Sequence, residues 1–106
     1  MAFSSLSQCM SATTFNVTVL GSVPDSASIS IDGKERPMQK DGNLFSYKNY
    51  QKNAGVSYAL LSYPSQVEYR CNLPVFEPGY AIYGYKVEIV SIRCLVVEER
   101  VSLDEF

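Results

Sequence analysis

The sequence predicts an all-β domain, an antiparallel sandwich or small barrel of about seven or eight strands. Three observations carry that expectation. Apolar residues recur at every second position through most of the chain, which is the period of a half-buried strand. Turn dipeptides and Pro/Gly clusters separate those runs at fairly regular spacing. No segment shows the spacing of an amphipathic helix.

The elements follow in order. Residues 1–13 are rich in serine, lack periodicity and read as an extended N-terminal arm. From Thr14, Phe15, Val17 and Val19 alternate with Asn16 and Thr18. Gly21-Ser22-Val23-Pro24-Asp25-Ser26 is a turn cluster. Ala27, Ile29 and Ile31 alternate with Ser28 and Ser30, and Asp32-Gly33 supplies the positive φ angles of a tight hairpin turn. Lys34 to Lys40 reads as one short edge strand, because Pro37 cannot donate from the middle of a sheet. After a turn at Asp41-Gly42, Leu44 to Tyr50 is a strand with Phe45 and Tyr47 on one side. Asn53-Ala54-Gly55 breaks it, and Val56, Tyr58 and Leu60 then alternate with Ser57 and Ala59. Pro64-Ser65 is a turn ahead of a strand in which Val67, Tyr69 and Cys71 alternate with Glu68, Arg70 and Asn72. Pro74, Pro78 and Gly79 mark residues 72–80 as a loop. Ala81, Tyr83, Tyr85, Val87 and Ile89 share one face of the last long strand. A change of phase after Ser91 requires a bulge or bend there. Residues 98–106 hold Glu98, Glu99, Asp104 and Glu105 against Arg100 and read as an acidic C-terminal tail, leaving 14–97 as the domain.

Composition narrows the function classes. The chain has 106 residues, a formal charge of -2, no histidine and no tryptophan. One hydrophobic core fits that length. A net charge near zero lacks the basic excess of a nucleic-acid binder. Lys34, Arg36, Lys40, Lys48 and Lys52 do cluster, but Asp32, Glu35 and Asp41 interleave them, as on a solvated, edge-protecting face. Without histidine there is no Ser-His or Cys-His nucleophile pair. Glu98 and Glu99 are adjacent, so a strand would point them to opposite faces. Asp25, Asp32 and Asp41 sit in turns that favour aspartate for backbone reasons. Gly79 to Lys86 resembles a phosphate loop superficially, but alternates like a strand and lacks the following Ser or Thr. No enzymatic activity, cofactor or metal site is therefore expected.

The chain opens at Met1 with no basic start and no apolar run long enough for a secretory signal or a membrane helix. A cytoplasmic origin with no membrane partner is the expectation. Asn16-Val17-Thr18 then matches the glycosylation pattern only by chance. Cys9, Cys71 and Cys94 fit no metal or redox spacing and read as free thiols, with a Cys71–Cys94 bridge as the alternative.

Eight tyrosines are the most unusual feature. Tyrosine packs well in strands, and it is also a large, rigid contact residue for proteins and sugars. Tyr50, Tyr63 and Tyr80 lie beside turns and are the candidate exposed contacts. Phe3 and Leu6 of the arm and Phe106 of the tail complete the candidate partner-binding set.

Phe15 to Tyr63 also carries a recognisable cadence: Val17-Thr18-Val19, then Gly21-Ser22-Val23-Pro24, then Ala27-Ser28-Ile29-Ser30-Ile31-Asp32-Gly33-Lys34, and later Gly55-Val56-Ser57-Tyr58. This resembles PEGA-like and related immunoglobulin-like β-sandwich modules, which are similar to those of bacterial surface proteins and of tailed-bacteriophage capsid, fibre and tail proteins. The resemblance covers about half the chain, and Val67 to Phe106 departs from it. It implies an immunoglobulin-like sandwich with a structural or binding role and offers no catalytic residues. The expectation is a non-catalytic virion component, a capsid decoration protein or a tail or fibre adaptor. It would dock on protein subunits of a larger assembly through its arm, tail and sheet edge. The alternatives are a free module binding carbohydrate or a cell-surface protein, and a small inhibitor or effector of a partner protein.

Overall fold

The computed structural model describes residues 13–50, 55–74 and 81–103. Nine strands form: β1 Thr13–Leu20, β2 Ser26–Ile31, β3 Lys34–Pro37, β4 Gln39–Asp41, β5 Leu44–Asn49, β6 Val56–Tyr63, β7 Val67–Asn72, β8 Ala81–Val90 and β9 Arg93–Leu103. They make two sheets, one in the order β4-β5-β1-β8-β9 and one in the order β3-β2-β6-β7. The sheets bury their facing sides against each other, as a β-sandwich does.

Alternation builds most of the core, but β2 and β6 shift register between Ile29 and Ile31, and β6 buries Val56, Ala59 and Leu61 rather than the Val56, Tyr58 and Leu60 set that the sequence pattern groups together. Phe15, Val17 and Val19 of β1 and Tyr83, Tyr85 and Val87 of β8 point inward from the first sheet. Ala27, Ile29, Ala59, Leu61 and Cys71 meet them from the second. Each large side chain so buried stabilises the fold by about 1.5–3 kcal/mol. Tyr85 is the bulkiest fully buried side chain, and its hydroxyl donates to the Pro74 carbonyl at 2.8 Å. That bond satisfies the polar tip of an otherwise apolar payload.

Several sequence expectations are corrected. The described residues hold nine strands, because Lys34 to Lys40 falls in two edge strands of different sheets. Met38 is the crossing point: its side chain is buried and its N–H donates to the Ala27 carbonyl at 2.9 Å. The pairing is antiparallel except between β1 and β8, which run parallel from Thr14↔Ile82 to Leu20↔Glu88. The change of phase near Ser91 is a two-residue hairpin turn, closed by Val90↔Arg93, and the bulge lies further on. Lys86 pairs with Glu98 and Val87 with Val96, which leaves Val97 as the extra residue. Residues 98–103 are no tail. They continue β9 along β8, as far as Ala81↔Leu103. A strand at a sheet edge can keep polar residues on both faces, which is why its alternation is faint. Asp32-Gly33 is the tight turn expected, with φ of 52° and 81° at the two central residues, the type I′ pattern.

The cysteines are the other correction. Cys71 of β7 and Cys94 of β9 form a disulfide, with a Cα–Cα distance of 5.0 Å. Both lie at inward positions on edge strands of opposite sheets, so the bridge joins the two layers.

Candidate functional site

The directions of the strands sort the turns into two groups. Thr13, Asn49 and Ala81 mark one end of the sandwich, since Thr13 pairs with Asn49 and Thr14 with Ile82. Leu20, Tyr63 and Val90 mark the other. There the β1–β2 loop and the β4–β5, β6–β7 and β8–β9 turns gather. Asp25 N–H donates to the Ser62 carbonyl at 2.8 Å, and the Tyr63 hydroxyl donates to the Ser22 carbonyl at 2.7 Å. These bonds hold the long β1–β2 loop against β6.

This second end exposes several apolar side chains among its polar turns. Val23, Val67, Val90 and Ile92 are exposed, Ile92 at 82% of its surface. Between the turns lies a cavity of about 250 Å³ lined by Ser22, Tyr63, Pro64, Val67, Tyr69 and Ile89. Tyr63 and Tyr69 form its aromatic wall, in edge contact at 5.6 Å between centroids and 84° between planes. Burial, with a smaller contribution from Tyr69, pushes the Tyr63 phenol above its ordinary range and keeps it neutral.

The backbone of the same end is also held in sparsely populated conformations. Among the described residues, four non-glycine residues have positive φ: Asp32, Ser65, Gln66 and Ser91. Asp32 belongs to the hairpin at the first end. The other three form the β6–β7 and β8–β9 turns, beside the exposed Val67 and Ile92. Serine and glutamine have no intrinsic preference for that region, and each such residue costs of order 1–3 kcal/mol. Strain of this kind persists where surrounding structure holds it and concentrates where a surface is shaped for contact.

The sequence-predicted contacts divide as follows. Tyr63 belongs to this end, but as a half-buried wall with its hydroxyl engaged rather than as a free contact. Tyr50 is 55% exposed, yet it follows Asn49 at the opposite end, so the two tyrosines do not share a surface. Phe3, Leu6, Tyr80 and Phe106 lie outside the described residues. The contacts missed in the sequence are Val67, Val90 and Ile92. Their signal was available in principle, as apolar residues next to turns, but an exposed valine carries no chemical signature. Among the described residues no group of three or more metal-ligating side chains occurs, and no helix is long and apolar enough to cross a membrane.

Comparison with known proteins supports the fold. No family model and no curated protein matches the chain. Among solved structures it is similar to a "putative cell adhesion protein" from Bacteroides uniformis, at a TM-score of 0.61 and 12% identity. The match covers 87% of this chain and 50% of that one, so the chain spans about half the length of its structural neighbour. At that identity the likeness is one of fold.

Proposed function

We propose that the chain is a non-catalytic protein-binding module that meets its partner with the apolar end of the sandwich. The observation that carries this reading is the exposure of Val67, Val90 and Ile92 around turns held in left-handed backbone conformations. An isoleucine at a hairpin tip adds nothing to this chain's own core, while its burial in a partner would stabilise a complex by about 1.5–3 kcal/mol. The cavity between Tyr63, Tyr69 and Ile89 gives a partner's apolar side chain a recess to fill.

The Cys71–Cys94 bridge favours an oxidising setting, so a cell-surface or other extracytoplasmic assembly is the reading of choice. The adhesion-type neighbour is compatible with it. A virion component, which the sequence resemblance implies, is a narrower form of the same reading, with the apolar end docked on a neighbouring subunit. Carbohydrate fits this end less well. Sugar stacking needs an open aromatic face, whereas Tyr63 and Tyr69 meet edge to face and Tyr63 already donates its proton to Ser22.

Photo-crosslinking tests the proposal. A crosslinking residue at position 92, in cells that make the protein, is expected to give a discrete protein adduct. The same residue at position 34, on the charged strand β3, is expected to give none. Equal adducts from both positions, or none from position 92, would overturn the reading.

A further inference from the structure

Among the described residues the two sheets have four edges, and three of them are short strands. β3 is four exposed residues, Lys34-Glu35-Arg36-Pro37. β4 is three, Gln39-Lys40-Asp41. β7 carries Glu68 and Arg70 and is bridged to β9 through Cys71. β9 differs. It has eleven residues, and Leu95, Val97 and Val101 are 44%, 48% and 41% exposed. Its first part is occupied: Cys94 and Val96 pack on the core, and the disulfide fixes Cys94 against β7. Past the bulge at Val97 the strand pairs with β8 on one side, and its other side is the margin of the five-stranded sheet.

The residues of that margin read Val97-Glu98-Glu99-Arg100-Val101. Laid antiparallel on a second copy and centred on Glu99, the segment complements itself. Glu98 falls opposite Arg100 twice, and Val97 opposite Val101 twice. Opposite positions across antiparallel strands share a face, with Cβ atoms roughly 4.5–5.5 Å apart, so ion pairs and valine pairs form there. Within one chain Glu98 already sits 2.8 Å from Arg100 and 3.2 Å from Lys86, on the outer face of the sheet. Both cations are well exposed and free to turn toward a partner's carboxylate. Each of the three registers sets one like-charged pair at its axis, but only centring on Glu99 pairs the flanking charges; centring on Glu98 or Arg100 leaves them opposite valine or serine.

We infer that β9 is a self-association edge, at which two copies pair antiparallel about Glu99 to give one continuous ten-stranded sheet. The occupant is a second copy of this chain because the charge pattern of the edge is its own complement. A short ladder of this kind buries less than the roughly 1,000 Å² of a stable interface, so the dimer is weak and concentration-dependent. The surface is separate from the apolar end, and the inference stands whether or not that end binds a partner.

Sedimentation of the purified oxidised chain from micromolar to millimolar concentration tests it. A monomer–dimer equilibrium is expected. Arg100→Glu should weaken it at least tenfold. Glu98→Arg combined with Arg100→Glu exchanges the charges and should restore most of the loss, a recovery that a merely destabilised fold would not give. Glu99→Gln should tighten the dimer by removing the carboxylate pair at the axis. Ile92→Asp should leave it unchanged. A chain that stays monomeric throughout would overturn the inference. So would a dimer indifferent to Arg100→Glu, or a double exchange that fails to recover while circular dichroism shows the native fold.

Discussion

Reduction of the Cys71–Cys94 bridge is the most direct perturbation of the link between the two sheets. The bond closes a loop with a sequence separation of 23 residues. Loop-closure entropy for a ring of that size gives about 3.4 kcal/mol of stabilisation, arising in the unfolded chain rather than from any native contact. A domain of this size has a total stability of roughly 5–15 kcal/mol, so the bridge accounts for a large share of it. Cys71 is completely buried and Cys94 packs against the same core, so both thiols of a reduced, folded chain would keep apolar surroundings. The assay is urea unfolding of oxidised and reduced protein, with thiol titration of each sample. The oxidised protein should show one reactive thiol when denatured and the reduced protein three, as Cys9 is the remaining cysteine. The reduced midpoint should fall and the urea dependence should steepen, because an unlinked chain exposes more surface on unfolding. An unchanged midpoint in samples with those thiol counts would refute the entropic reasoning. Three thiols in the protein as isolated would refute the pairing itself.

Gly33→Val places a β-branched residue at a φ of 81° in the Asp32-Gly33 turn and should cost about 1–3 kcal/mol by urea unfolding; no loss would mean that the turn is absent. Leu61→Ala removes a fully buried side chain from β6 and should cost about 2–5 kcal/mol, measured the same way. Burial pushes the Tyr85 phenol far up, so the folded chain keeps the proton that the unfolded chain loses. The resulting stability is complete below the ordinary tyrosine range near 10 and declines as the pH rises above it, by about 1.4 kcal/mol per pH unit for each such group. Tyr85→Phe should flatten that alkaline decline, and an identical pH profile would argue against a buried phenol.

What the sequence made legible was local. Alternation identified β1, β2, β6 and β8 as strands, and it assigned Phe15, Val17, Ile29, Tyr83 and Tyr85 their inward sides because each strand buries one face; on β6 it put Tyr58 and Leu60 on the side of Val56, whereas Ala59 and Leu61 are the buried residues. Non-local pairing was not legible. Nothing near Thr14 announces a parallel partner at Ile82, and nothing near Cys71 announces Cys94, although both cysteines fell at positions of a strand that could face inward. Met38 did leave a trace, as the single large apolar side chain in an otherwise polar run, and it is the residue that carries the chain between sheets. The apolar end left almost none. Ser65, Gln66 and Ser91 adopt conformations that glycine would have advertised, and valines beside turns read as ordinary strand ends.

The strand directions set how the molecule would carry a load. β1 enters at Thr13 and β9 leaves at Leu103 from the same end, two strand spacings or about 10 Å apart across β8. The exposed hairpin tip stands at the far end of β8, ten residues or about 33 Å away. An anchor attached through either side of the chain therefore presents the tip outward, like the end of a short post. Tension between the tip and an anchor on the Thr13 side runs lengthwise along β8 and β1, and their paired ladder is sheared as a whole rather than peeled one bond at a time. The β9 margin lies along the side of the post, and antiparallel pairing there sets a second copy alongside with its tip pointing the opposite way, so that neither tip is covered.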